Sequence, residues 1–143
     1  MRHFPALCLA AALSASAAQP ALADEPDTAF VRLHAVDLLE GALTREQTTK
    51  LQLIAHQAAI AAACDGFVLD DTKMKTAFEA LAPADAAKMT DAQKTYHDQH
   101  VLVIYGVLVG GELAAMADDV SKACARAAEF QADPEAAAEV VWR

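Results

Sequence analysis

The sequence predicts an all-α fold, and three observations predict it. Two T-x-x-Q capping boxes, Thr44 with Gln47 and Thr90 with Gln93, each open a long segment with apolar residues at helical spacing. Helix stops recur between such segments, at Gly41 and at Asp65-Gly66. Asp133-Pro134-Glu135 supplies an N-cap, an N1 proline and an acidic first turn near the C-terminus. The expected architecture is a compact bundle of five to six helices around a central apolar helix at about 91–117, pinned by one disulfide.

Residues 1–23 read as a secretory signal peptide rather than as structure. Arg2 and His3 form a short basic region, Pro5 to Ala18 is uncharged, and Ala21-Leu22-Ala23 is an A-x-A cleavage site. The apolar stretch is shorter than the roughly 20 residues a membrane helix needs. Cys8 lies too early, with Leu7 before it, to be a lipidated cysteine. Cleavage after Ala23 leaves 24–143 as a single helical domain, expected in the periplasm or outside the cell.

Within that domain, Asp27 or Thr28 caps a helix over Ala29–Glu40, with Phe30, Leu33, Val36 and Leu39 as its apolar stripe and Gly41 at C′. The first capping box opens a helix from Arg45 to about Cys64, whose last turns are almost all alanine. Asp70 caps the next, Asp71–Leu81, with Leu69 and Met74 as a hydrophobic staple. Leu81–Met89, which contains Pro83, reads as a connector with one loose turn.

The second capping box opens the most apolar element. Val101–Gly111 holds no charge, and Val101–Tyr105 has strand propensity. The capped polar turn before it and the Glu112–Ala117 segment after it favour a helix instead. Apolar residues on every side imply that its middle is enclosed by other helices, with Gly106 and Gly110 at a tight crossing. Asp118 or Asp119 caps a helix through Phe130, and a final short helix is expected to end near Trp142.

Composition removes several functions. Eleven Lys+Arg against twenty Asp+Glu give a formal charge of −9, which speaks against nucleic acid as a partner. Hydrophobic residues at 55 % are too many for a disordered chain. After cleavage two cysteines remain, and in an oxidising compartment Cys64 and Cys124 are expected to pair. Closing a loop of about 60 residues is worth roughly 4 kcal/mol in the chain-entropy model. Neither C-x-x-C nor C-x-x-C-H is present, which leaves no redox or covalent-haem motif.

Catalytic motifs are also missing. Ser121 is the one serine after cleavage and stands in no G-x-S-x-G turn. Glu112 adjoins the apolar run, and is expected to reach the surface or pair with a Lys or Arg; the functional alternative is a buried carboxyl working with a histidine. His97 and His100 share one helix face at i and i+3, so both imidazoles are candidate metal ligands. His56, between Leu53 and Ile60, is the candidate third ligand, or else a hydrogen-bonded core residue. An EF-hand register with Gly66 sixth puts Ala61, Ala63 and Thr72 where oxygen ligands belong, which excludes calcium there. Ala63-Cys64-Asp65-Gly66, followed by Val68 and Asp70, resembles the Asp-Gly helix corner of tellurite-resistance TerB-like domains. The likeness covers that corner alone, departs from it at Lys73, and brings no function with it.

These readings converge on an expectation: a small exported helical binding or partner protein, without enzymatic activity or cofactor, acting through an apolar helix face. In size, export and single bridge it is similar to acid-stress periplasmic chaperones and to periplasmic immunity proteins, a similarity of format. Its partner is expected to be another periplasmic protein, and the chain is not expected to span a membrane. The alternative is a periplasmic metal-binding protein using His97 and His100.

Overall fold

The computed structural model describes residues 28–143. The expected signal peptide 1–23 and the Asp27 cap lie outside the described residues, as do the side chains that precede Leu33. Five α-helices follow one another: α1 (Thr28–Asp37), α2 (Arg45–Ala63), α3 (Asp71–Glu79), α4 (Asp91–Met116) and α5 (Val120–Ala132). Single 3₁₀ turns stand at Ala86–Lys88 and Ala136–Ala138, and no strand occurs among the described residues.

The helix-start signals of α2 to α5 act as read. Both capping boxes close: the Gln47 N–H donates to Thr44 Oγ1 at 3.2 Å and the Thr44 N–H to Gln47 Oε1 at 3.0 Å. The pair Thr90 and Gln93 does the same at 3.3 and 2.8 Å. Asp70 and Asp119 cap α3 and α5 through the N–H groups of Lys73 and Lys122. α1 ends earlier than expected, because its last carbonyls are taken by tighter turns over Leu39–Glu40 before Gly41 reverses the chain at φ +81°. Gln47 does more than cap: its Nε2 donates to the carbonyls of Ala80 and Ala82 at 3.2 and 2.9 Å, tying the start of α2 to the end of α3.

Packing divides the interior into adjoining clusters. α4 lies along α1 and α2, and α2 also contacts α3 and α5. Ala35 of α1, Leu39 in the turn that follows it, Leu51 and Ala55 of α2, and Val101, Ile104 and Leu108 of α4 belong to one cluster. Ile60, Cys64, Ala127, Val140 and Trp142 form a second, around the Cys64–Cys124 disulfide that joins the end of α2 to α5. Ile54, Ala77 and Val141 form the third.

Two expectations are corrected. The middle of α4 is a helix, as read, but it is not enclosed. Val101, Ile104, Leu108 and Gly111 face inward, while Leu102 and Val103 are 59 % and 64 % exposed. A Cβ built on Gly106 or Gly110 meets nothing within 4 Å, so neither glycine sits at a tight crossing. Among the described residues, only α1 and α2 are laid against this helix as substantial contacts, and two neighbours cannot cover all sides of a cylinder.

The C-terminus, too, departs from the expected short helix. Asp133 Oδ1 accepts from the Glu135 N–H at 2.9 Å and starts a turn, but the turn ends at Ala138. The chain then runs on as an extended strap. Asp70 N–H donates to Val141 O at 2.8 Å, Arg143 N–H to Val68 O at 3.0 Å, and Leu69 bridges Trp142. Val140, Val141 and Trp142 are all buried in this conformation. The β-branched pair favours it, and three successive residues on a helix would point around its circumference instead of into the core.

Gln57 holds the strap in place. It is 1 % exposed, its Nε2 donates to Glu139 O at 2.9 Å, and its Oε1 accepts from the Val141 N–H at 2.7 Å. Its own carbonyl accepts from Trp142 Nε1 at 2.9 Å. Phe67 packs edge-on to the Trp142 ring with centroids 4.7 Å apart.

Candidate functional site

The open side of α4 is the largest departure from ordinary packing. Leu102, Val103, Gly106, Val107 and Gly110 recur at helical spacing along it, with exposed Tyr96 at one end and Leu113 at the other. Scattered exposed aliphatics are normal, whereas Leu102, Val103 and Val107 grouped on one helix face are the kind of patch that marks a contact site. At 26 residues α4 is long and apolar enough to cross a bilayer by length and composition, with 28 % of its most apolar window buried.

The structure brings together two of the residues singled out for chemistry and separates others. His56 Nδ1 and Glu112 Oε2 are 2.8 Å apart, which links α2 to α4. His56 is therefore neither a core residue nor close to the other histidines. Its side chain is half exposed, and Glu112 lies about 18 Å along α4 from His100. Glu112 has His56 among its partners, which brings a carboxyl and an imidazole together. No group of three or more His, Cys, Asp or Glu is placed to hold a metal ion among the described residues.

His97 and His100 occupy different surroundings although they share a face. His97 is buried, with Nδ1 3.3 Å from Asp98 Oδ1 and no hydrogen-bond partner at Nε2. His100 is half-buried, with its ring tilted against Tyr96 at a centroid distance of 5.7 Å. A buried nitrogen without a partner costs free energy that an apolar side chain would not. His97→Leu is accordingly expected to stabilise the fold by about 1 kcal/mol. Urea denaturation checks this, and a loss of stability would assign the imidazole a structural bond.

One titratable group is shifted by its surroundings. Burial raises the Tyr105 hydroxyl above its ordinary value of 10.0, while its ring packs edge-on to Phe78 at 5.1 Å. Well below pH 10 the hydroxyl is protonated in both folded and unfolded chains, so its contribution is constant. Above that value the unfolded chain releases the proton first, and stability falls as pH rises through the raised folded value. Thermal melts from pH 9 to 11 are expected to fall less steeply for Tyr105→Phe than for the parent protein.

A feature that sequence reasoning missed lies on the other side of α2. The first half of α2, α3 and residues 138–141 enclose an open cleft of about 1010 Å³. Leu53, Ile54, Ala77 and Val141 line its floor, and Arg45, Lys50 and Lys73 stand among its polar lining. The basic residues carry no motif in the sequence, and the strap that closes one wall was expected to be a helix. Comparison of the chain with protein-family models, curated proteins and solved structures finds no match.

Proposed function

We propose that this is a small exported binding protein, without catalytic activity, that docks another periplasmic protein onto the open face of α4. The observation that carries the reading is the exposure of Leu102 and Val103 beside Gly106, Val107 and Gly110, on a helix whose opposite face is fully packed. The glycines let a partner helix approach closely, and the aliphatics supply the apolar area that is buried when it does. The face is open in the folded state, so docking needs no unfolding step.

Export is supported by the A-x-A segment at Ala21–Ala23 and by the Cys64–Cys124 bridge, which suits an oxidising compartment. A water-soluble bundle, as against a membrane span, is supported by the packing of Val101, Ile104 and Leu108 against α1 and α2. Asp91, Lys94 and Asp98 in the first half of α4 support it further.

Photo-cross-linking in the native cell envelope tests the proposal. A photoreactive residue at Val103 is expected to yield one discrete protein adduct, and one at Lys75 on α3 none. Leu102→Lys should abolish the adduct without lowering the melting temperature. Absence of an adduct at Val103, or equal adducts at both positions, contradicts the proposal.

The second reading, metal binding by His97 and His100, rests on the unpartnered Nε2 of His97. Two imidazoles alone fall short of the three or four protein ligands that zinc sites use. Zn²⁺ titrated into the metal-free protein is expected to leave the melting temperature in place. A rise that His97→Leu abolishes would favour the metal reading instead.

A further inference from the structure

We propose that the cleft between α2, α3 and the C-terminal strap binds a single-chain amphiphile with an anionic headgroup, the chemistry of a fatty-acid carboxylate. Its volume of about 1010 Å³ is at the upper end of the range small-molecule sites occupy. The floor is apolar and belongs to the packed core, since Ile54, Ala77 and Val141 form one of its clusters. The cleft follows α2 from Arg45 to Ile54, about 14 Å of helix, which suits an extended aliphatic chain.

The headgroup follows from charge. The chain as a whole carries twenty acidic and eleven basic side chains, yet three of the bases and two of the acids line this cleft. The local balance is therefore opposite in sign to that of the molecule. Lys73 is held at the wall by donating from Nζ to Trp142 O at 2.8 Å. Arg45 and Lys50 form no ion pair among the described residues, although Glu46 and Glu139 also line the cleft. Two uncommitted cations above an apolar floor attract a carboxylate with a tail, and repel a cation of the same length. α4 contributes no residue to this cleft, so the proposal stands apart from docking on the open α4 face.

Calorimetric titration of the disulfide-bonded protein with decanoate, decanol and decyltrimethylammonium tests the proposal. Decanoate is expected to bind at one site, at least tenfold more tightly than the cationic amphiphile, with decanol between them. Shortening the acid by two methylenes should weaken binding about tenfold or somewhat more. Thr76→Trp fills the cleft from an exposed position and should abolish binding of all three. Arg45→Glu combined with Lys50→Gln should weaken decanoate at least tenfold and leave decanol unchanged. An acidic residue in the first turn suits the helix dipole, so that variant keeps its fold. Val103→Lys, on the open α4 face, should leave decanoate binding unchanged. No saturable decanoate binding, equal affinity for the three headgroups, or undiminished binding by the Thr76→Trp protein would each overturn the proposal.

Discussion

Trp142→Ala is expected to destabilise the protein by about 3–5 kcal/mol, the range for removing a large buried aromatic side chain. Trp142 is 2 % exposed, and its ring fills the cluster formed by the end of α2, α5 and the strap. The substitution leaves a cavity beside Phe67 and Ile60 and deprives the Gln57 carbonyl of its Nε1 donor. Trp142→Phe separates the two effects. It retains most of the apolar contact, loses the hydrogen bond, and is expected to cost about 1–3 kcal/mol for the unsatisfied carbonyl. Urea denaturation followed by far-ultraviolet circular dichroism measures both. Equal, small losses would mean that the strap is not part of the cooperative core.

Removing the disulfide has the other large effect. Cys64 and Cys124 are separated by 60 residues, and their bridge encloses α3, α4 and the turn into α5. The chain-entropy model assigns such a loop roughly 4 kcal/mol, within a total that for domains usually lies near 5–15 kcal/mol. Cys64→Ser combined with Cys124→Ser is expected to lose about that amount, and reductant should shift the parent protein equally while leaving the variant unmoved. The free energy enters chiefly through the unfolded chain, so the helices of the folded variant should remain as they are.

The elements legible in the sequence were those set by interactions within a few residues. Thr44 with Gln47 and Thr90 with Gln93 announce helix starts because cap and box partners lie three residues apart. The Cys64–Cys124 bridge followed from there being no other cysteine after the expected cleavage site. What the sequence left open depends on partners far along the chain. Gln57 looks like a polar interruption of an apolar face until Glu139 and Val141 arrive 82 and 84 residues later. Asp133-Pro134-Glu135 correctly announces a turn, but the bonds of Val141 and Trp142 to α2 and the α3 entry outweigh its continuation as a helix.

The candidate sites show the same division. His56 and Glu112 each stood out by position, yet their pairing across α2 and α4 joins residues 56 apart. The uncharged run at Val101–Gly111 declared an apolar helix without declaring which side is covered, because that depends on how many helices the rest of the chain supplies. Among the described residues no helix lies over Leu102, Val103 and Val107.

Hydroxyl-radical footprinting of α4, in the purified protein and in the intact cell envelope, tests the docking account most directly. In the purified protein Leu102 and Val103 should oxidise readily and Ile104 and Leu108 should not. In the envelope the Leu102 and Val103 oxidation should be suppressed severalfold, while exposed Val68, in the connection between α2 and α3, reacts as before. Equal oxidation of Leu102 and Val103 in both settings would contradict the account, since nothing would then cover the face it assigns to a partner.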